Sequence, residues 1–143
     1  MKPNAGILPS FFMAAWFALS FSPGKAQSAE QEKASTANVT HTDAKKAANL
    51  LANNQIIVLD VRTPREFASS HIAGATNINF LSGDFSDRLT QLDRSKNYLL
   101  HCASGGRSTN ALPKLARLGF TNVIHLDGGF KAWQAAGNPV VKP

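Results

Sequence analysis

The chain contains one cysteine, and it lies in the run LLHCASGGRS, residues 99–108. A thiolate is a strong nucleophile and a guanidinium grips anions. Cys102 and Arg107, at the two ends of a short loop, could therefore hold an anionic reactant and attack it. Ala103, Ser104, Gly105 and Gly106 lie between them and carry little or no side chain. Such a run lets the backbone curl and turn its N–H groups toward one point above the sulfur. A helix is expected to begin near Ser108, and its N-terminal dipole would add partial positive charge to the full charge of Arg107. Surroundings of this kind commonly bring a cysteine from near ~8.5 to between ~3.5 and ~7.5, so Cys102 is expected to be thiolate at neutral pH without an adjacent base. His101 precedes it on a strand, so its side chain should point to the opposite face and serve structure rather than proton transfer.

Loop length narrows the chemistry. Four residues separate Cys102 from Arg107. The phosphatase pattern is one residue longer in this interval, which widens the cradle for a tetrahedral phosphate. The shorter loop closes around a smaller object, and the terminal sulfur of a persulfide would fit, stabilised as an anion by the loop N–H groups. Sulfur transfer is therefore favoured over a second reading, a phosphatase or arsenate reductase using the same thiolate. A third reading, a non-catalytic binding module, has the retention of both Cys102 and Arg107 against it.

The elements that must position this loop alternate along the chain. Thr42 or Asp43 can cap a helix through AKKAANLLANN. QIIVLDV is a continuous apolar run of the kind buried on both faces of a parallel sheet, and it places Asp60 and Arg62 near its C-terminal end. Thr63-Pro64 opens a short helix through REFASS; Gly74 makes a turn and residues 75–78 a short strand. DFSDRLTQL is expected to be helical with Phe85, Leu89 and Leu92 inward, and NYLLHC to be the next buried strand. The helix after the loop runs to Gly119, with Pro113 imposing a bend or a late start. TNVIHL is the last strand, DGG a turn, and FKAWQAA a closing helix. This order implies an α/β domain with a central, mostly parallel sheet flanked by helices in three layers. Cys102 would then lie at the carboxyl edge of the sheet, where such folds place their ligands.

Three stretches resemble the rhodanese family, in that family's order and spacing: DVRTPREFASSHIAGATNI (residues 60–78), HCASGGRS (residues 101–108) and GFTNVIHLDGGFKAW (residues 119–133). The resemblance implies a rhodanese-like fold and a ping-pong reaction without metal or organic cofactor. Cys102 would take sulfur from a donor such as thiosulfate, hold it as a persulfide and pass it to cyanide or a thiol. It also implies that Ala103, Ser104, Gly105, Gly106 and Arg107 form the cradle, with Arg107 holding the donor's anionic end. Asp60, Arg62 and Ser108 are candidates for supporting it, although an internal ion pair is the favoured reading of Asp60 and Arg62. His71 with Gly74, and Asp127-Gly128-Gly129, read as turns, and Trp133 with Phe130 as core. Ala103 and Ser104 are uncharged, so one cation faces a doubly charged thiosulfate, and a persulfide or polysulfide donor becomes the alternative.

The 143-residue length allows one domain. Residues 1–26 read as a signal peptide: Lys2, an apolar run from Ile7 to Phe21, then small residues at Gly24 and Ala26. Pro9 and the shortness of the run argue against an uncleaved anchor. Cleavage is expected after Ala26, or failing that after Ser28, with export to the periplasm and no stable membrane anchor afterwards. Residues 27–40 read as a disordered leader and 41–143 as the domain. Losing Lys2 and Lys25, with no acidic residue before Glu30, takes the formal charge from +6 to +4. The remaining cations are scattered, which excludes nucleic acid as an expected partner and leaves small-molecule donor and acceptor. A lone cysteine also excludes an internal disulfide.

Overall fold

The computed structural model describes residues 37–53 and 55–143. The expected signal peptide and most of the expected leader lie outside the described residues. Within them the chain forms β1 (Asn38–Thr42), α1 (Ala44–Asn53), β2 (Ile56–Asp60), α2 (Pro64–Ser69), β3 (Thr76–Asn77), α3 (Phe85–Thr90), β4 (Asn97–His101), α4 (Gly106–Arg117), β5 (Asn122–Leu126) and α5 (Gly129–Ala135). The strands make one parallel sheet in the order β1-β5-β4-β2-β3.

Alternation along the strands builds a core on each face of the sheet. Leu59, Tyr98, Leu100, Cys102 and Val123 face α3 and α4, where Phe85, Leu89, Ala111 and Leu115 complete one cluster. Val58, Leu99 and Leu126 face α1 and α5, packing with Ala44, Ala47, Phe130 and Trp133. Trp133 is core, and its indole N–H donates to Pro139 O at 2.9 Å. The capping chemistry is local. Asp43 Oδ1 accepts from Lys46 N at 2.8 Å to start α1. At α2, Thr63 and Glu66 form a reciprocal capping box ahead of Pro64.

Two expectations need correction. Residues 38–40, assigned above to the disordered leader, belong to β1, which pairs in register with β5 from Asn38↔Asn122 to Thr42↔Leu126. NVTHT is polar because β1 is an edge strand with most of its side chains exposed, so it lacks the apolar run that marks β2 and β4. The helix after the cysteine loop begins at Gly106 rather than near Ser108, and it continues through Pro113 to Arg117. Gly105 makes the early start feasible: it caps the helix at φ 111°, a backbone conformation that side-chain-bearing residues rarely adopt. No helix among the described residues is long and apolar enough to cross a membrane.

Candidate active site

Cys102 follows β4 directly, at the carboxyl end of a strand lying between β5 and β2. Cys102 lies at the floor of the loop, 1% exposed, while Ser104 and Gly106 form the exposed rim. The early helix start brings Gly105 N to 3.1 Å from Sγ, and the Ser108 hydroxyl to 3.5 Å. Burial pushes the thiol up, but hydrogen bonds from Ser108 and from the amides of Ser104 and Gly105 outweigh it, leaving Cys102 below its ordinary value. Loop and helix start thus both favour the ionised form of Cys102.

The DGG segment does more than turn the chain. Phe130 N donates to Cys102 O at 2.8 Å and Lys131 N to Ala103 O at 3.0 Å, so the first turn of α5 clamps the loop. Contact this close requires glycine at position 129. A Cβ there would stand 2.6 Å from Cys102 O and 2.9 Å from Ser104 N, and the backbone has φ +59°. Sequence reasoning missed Gly129 as a site residue; the second glycine of the pair was the available signal.

Arg107 lies in the first turn of α4 and forms a two-pronged pair with Glu66 of α2, Nη1 to Oε2 at 2.8 Å and Nη2 to Oε1 at 2.7 Å. The guanidinium holds the Glu66 carboxyl down at about 2, and Glu66 in turn raises Arg107. The cation assigned above to the donor's anionic end is therefore already neutralised by a partner. Glu66 was the second residue missed, and its place within the first of the three stretches, residues 60–78, was the clue to it.

Asp60 and Arg62 form the expected internal ion pair. Arg62 Nε and Nη2 meet the Asp60 carboxylate at 2.9 and 2.6 Å, Nη2 also donates to Ser70 O at 2.8 Å, and the guanidinium lies 4.0 Å over the Phe130 ring. His101 is fully buried beside them, with Nδ1 3.1 Å from Cys102 O and Nε2 3.7 Å from Asp60. Burial lowers its pKa against the pull of Asp60. Its side chain lies on the face away from the thiol, as strand alternation requires.

On the thiol's own face the in-register pair His41↔His125 meets Asp127. Both Nδ1 atoms face the same carboxylate oxygen, His41 at 2.8 Å and His125 at 3.0 Å, while His125 Nε2 lies 2.9 Å from Ser108 Oγ. Ligands held at about 2.0–2.2 Å around a tetrahedral ion would stand roughly 3.4 Å apart, so this tighter spacing is that of hydrogen bonds.

A family profile described as Rhodanese-like domain matches residues 43–136. The chain belongs to the rhodanese-like family. Its rhodanese-like domain is 40% identical over 91 residues to thiosulfate sulfurtransferase 16, chloroplastic, of Arabidopsis thaliana, covering 57% of this chain and 76% of that protein. An uncharacterised Synechocystis protein is 40% identical over 68% of this chain, which spans only 54% of that relative's length. Among solved structures, a rhodanese-related protein from Thermoplasma volcanium superposes with a TM-score of 0.64 at 32% identity, over 71% of this chain and 97% of that one. The three-layer α/β architecture is accordingly a rhodanese-like fold.

Proposed function

We propose that this rhodanese-like domain transfers sulfane sulfur through a persulfide on Cys102. The observation that carries the reading is the loop amide of Gly105, 3.1 Å from Sγ in a loop with four residues between cysteine and arginine. The Cys102 thiolate attacks the outer sulfur of thiosulfate. The bond between the two donor sulfurs breaks, and sulfite leaves with its electron pair. The terminal sulfur stays as an anion beneath the loop N–H groups. Cyanide or a thiolate then attacks that sulfur, carries it away and regenerates the Cys102 thiolate.

The Glu66–Arg107 pair shapes donor choice. With its charge offset, Arg107 holds a dianion weakly, so a persulfide such as glutathione persulfide is the better donor and thiosulfate the poorer one. Intact-mass measurement after exposure to each donor tests both statements. A gain of one sulfur on Cys102, faster from the persulfide, is expected, along with thiocyanate formation when cyanide is added. No mass gain from either donor and no thiocyanate would overturn the reading.

The N-terminal pattern supports export to the periplasm. Fractionation with N-terminal sequencing is expected to find a periplasmic chain starting at Gln27. A cytoplasmic chain that retains Lys2 would refute export.

A further inference from the structure

The groups behind Cys102 form an unbroken hydrogen-bonded chain. Sγ lies 3.5 Å from Ser108 Oγ, which lies 2.9 Å from His125 Nε2; His125 Nδ1 lies 3.0 Å from Asp127 Oδ1, which reaches the surface. The rhodanese-like reaction as written above uses none of the last three residues. Ser108 and His125 are buried, at 0% and 3% exposed, whereas more than half of the Asp127 side chain is open to solvent.

Counting protons decides what this chain can do. Ser108 has one hydroxyl proton and three acceptors within reach: Sγ, His125 Nε2 and Gly105 O at 2.9 Å. Gly105 O already accepts from Thr109 N at 2.9 Å and Thr109 Oγ1 at 2.8 Å, which occupy both of its lone pairs. The serine proton is thereby left to the sulfur or the imidazole. Asp127 only accepts, so His125 Nδ1 carries a proton toward it in either case. Two arrangements satisfy every contact along the line from Sγ to Asp127. In one, the thiol S–H donates to Ser108, Ser108 donates to a neutral His125, and His125 donates to Asp127. In the other, Ser108 donates to a thiolate, and His125 is an imidazolium donating to both Ser108 and Asp127.

We propose that Cys102 ionises by an internal double proton shift through Ser108 to His125, with Asp127 holding the resulting imidazolium. The S–H bond breaks as a new Oγ–H forms, and the old Oγ–H breaks as Nε2–H forms. Charge is conserved, and no proton has to leave a sulfur that solvent barely reaches. His125 acts through Ser108 and is a positioning residue rather than a catalytic one. The groups facing it are Asp127 from the turn after β5, His41 from β1 with its ring centroid 5.0 Å away and sharing that carboxylate, and Ser108 and Thr109 from α4. His41 draws on the same Asp127 oxygen.

The proposal extends the persulfide reading but is tested without any sulfur donor, so either can fail alone. The rate of Cys102 alkylation by iodoacetamide is measured against pH. His125→Gln and Ser108→Ala are expected to raise the midpoint by about one unit, slowing alkylation roughly tenfold below it. Asp127→Asn, with more than half of the side chain exposed, should move it in the same direction by less. Profiles that superpose on the parent protein's would overturn the proposal. A second measurement records the imidazole nitrogen resonances of His125 by NMR at one fixed pH in the parent and in Cys102→Ala: the parent should show more of the doubly protonated ring, and identical spectra would refute the coupling.

Discussion

Two histidines flank Cys102 on opposite faces of the same sheet, and they illustrate two fates for a buried imidazole. His101 lies with Asp60 and Arg62 against Phe130, in a closed group with no hydrogen bond to the sulfur and no opening to solvent. His125 lies under α4, linked by Ser108 to the sulfur on one side and by Asp127 to solvent on the other. The face toward α5 is a clamp and the face toward α4 is a chemical path. Residue type does not distinguish them, since both are strand histidines near aspartates. The difference is set by what each face packs against: a docked aromatic on one side, a helix start with a hydroxyl on the other.

The broadest break of this contrast is at the pivot. Cys102→Ser should remove sulfur transfer to background in the thiocyanate assay while leaving thermal unfolding near that of the parent. Residual turnover would move the nucleophile elsewhere. On the clamp side, Asp60→Asn leaves the Arg62 cation buried without its counter-charge, and about 3–5 kcal/mol of stability should be lost in denaturant unfolding. Its alkylation pH profile should nevertheless match the parent's, which separates a structural pair from the His125 path.

Gly129→Ala probes the junction between the faces. Its Cβ would strike Cys102 O and displace the loop, with an expected loss of about a hundredfold in kcat. A loss confined to stability would show that the loop tolerates movement.

Glu66→Gln is the mildest change. The Glu66 pKa is depressed to about 2 from 4.5, so its ionised form stabilises the fold above pH 4.5, and that contribution fades as pH falls toward 2. The pair is partly exposed and contributes at most about 1 kcal/mol. Unfolding of Glu66→Gln should therefore depend less on pH between those limits. Freed of its partner, Arg107 should also lower KM for thiosulfate; an unchanged KM would show that Arg107 does not meet the donor.

Periodicity made β2, β4 and β5 legible, because buried parallel strands read as apolar runs. The same logic placed His101 away from the thiol and paired Asp60 with Arg62 two residues apart. It failed at β1, whose NVTHT earns its strand by pairing with β5 and shows no apolar signature. It also failed at the start of α4, where Gly105 caps the helix through backbone geometry instead of a side chain.

The sequence by itself determined the lone cysteine, the short loop to Arg107 and the alternation that builds the α/β layers, since each depends on neighbours a few residues apart. Only the tertiary structure decided how those groups are used. Glu66 reaches Arg107 across 41 positions, His125 reaches Ser108 across 17, and His41 reaches Asp127 across 86. Charge balance and proton paths depend on distances in space, and a parallel sheet brings together strand ends that the chain keeps far apart.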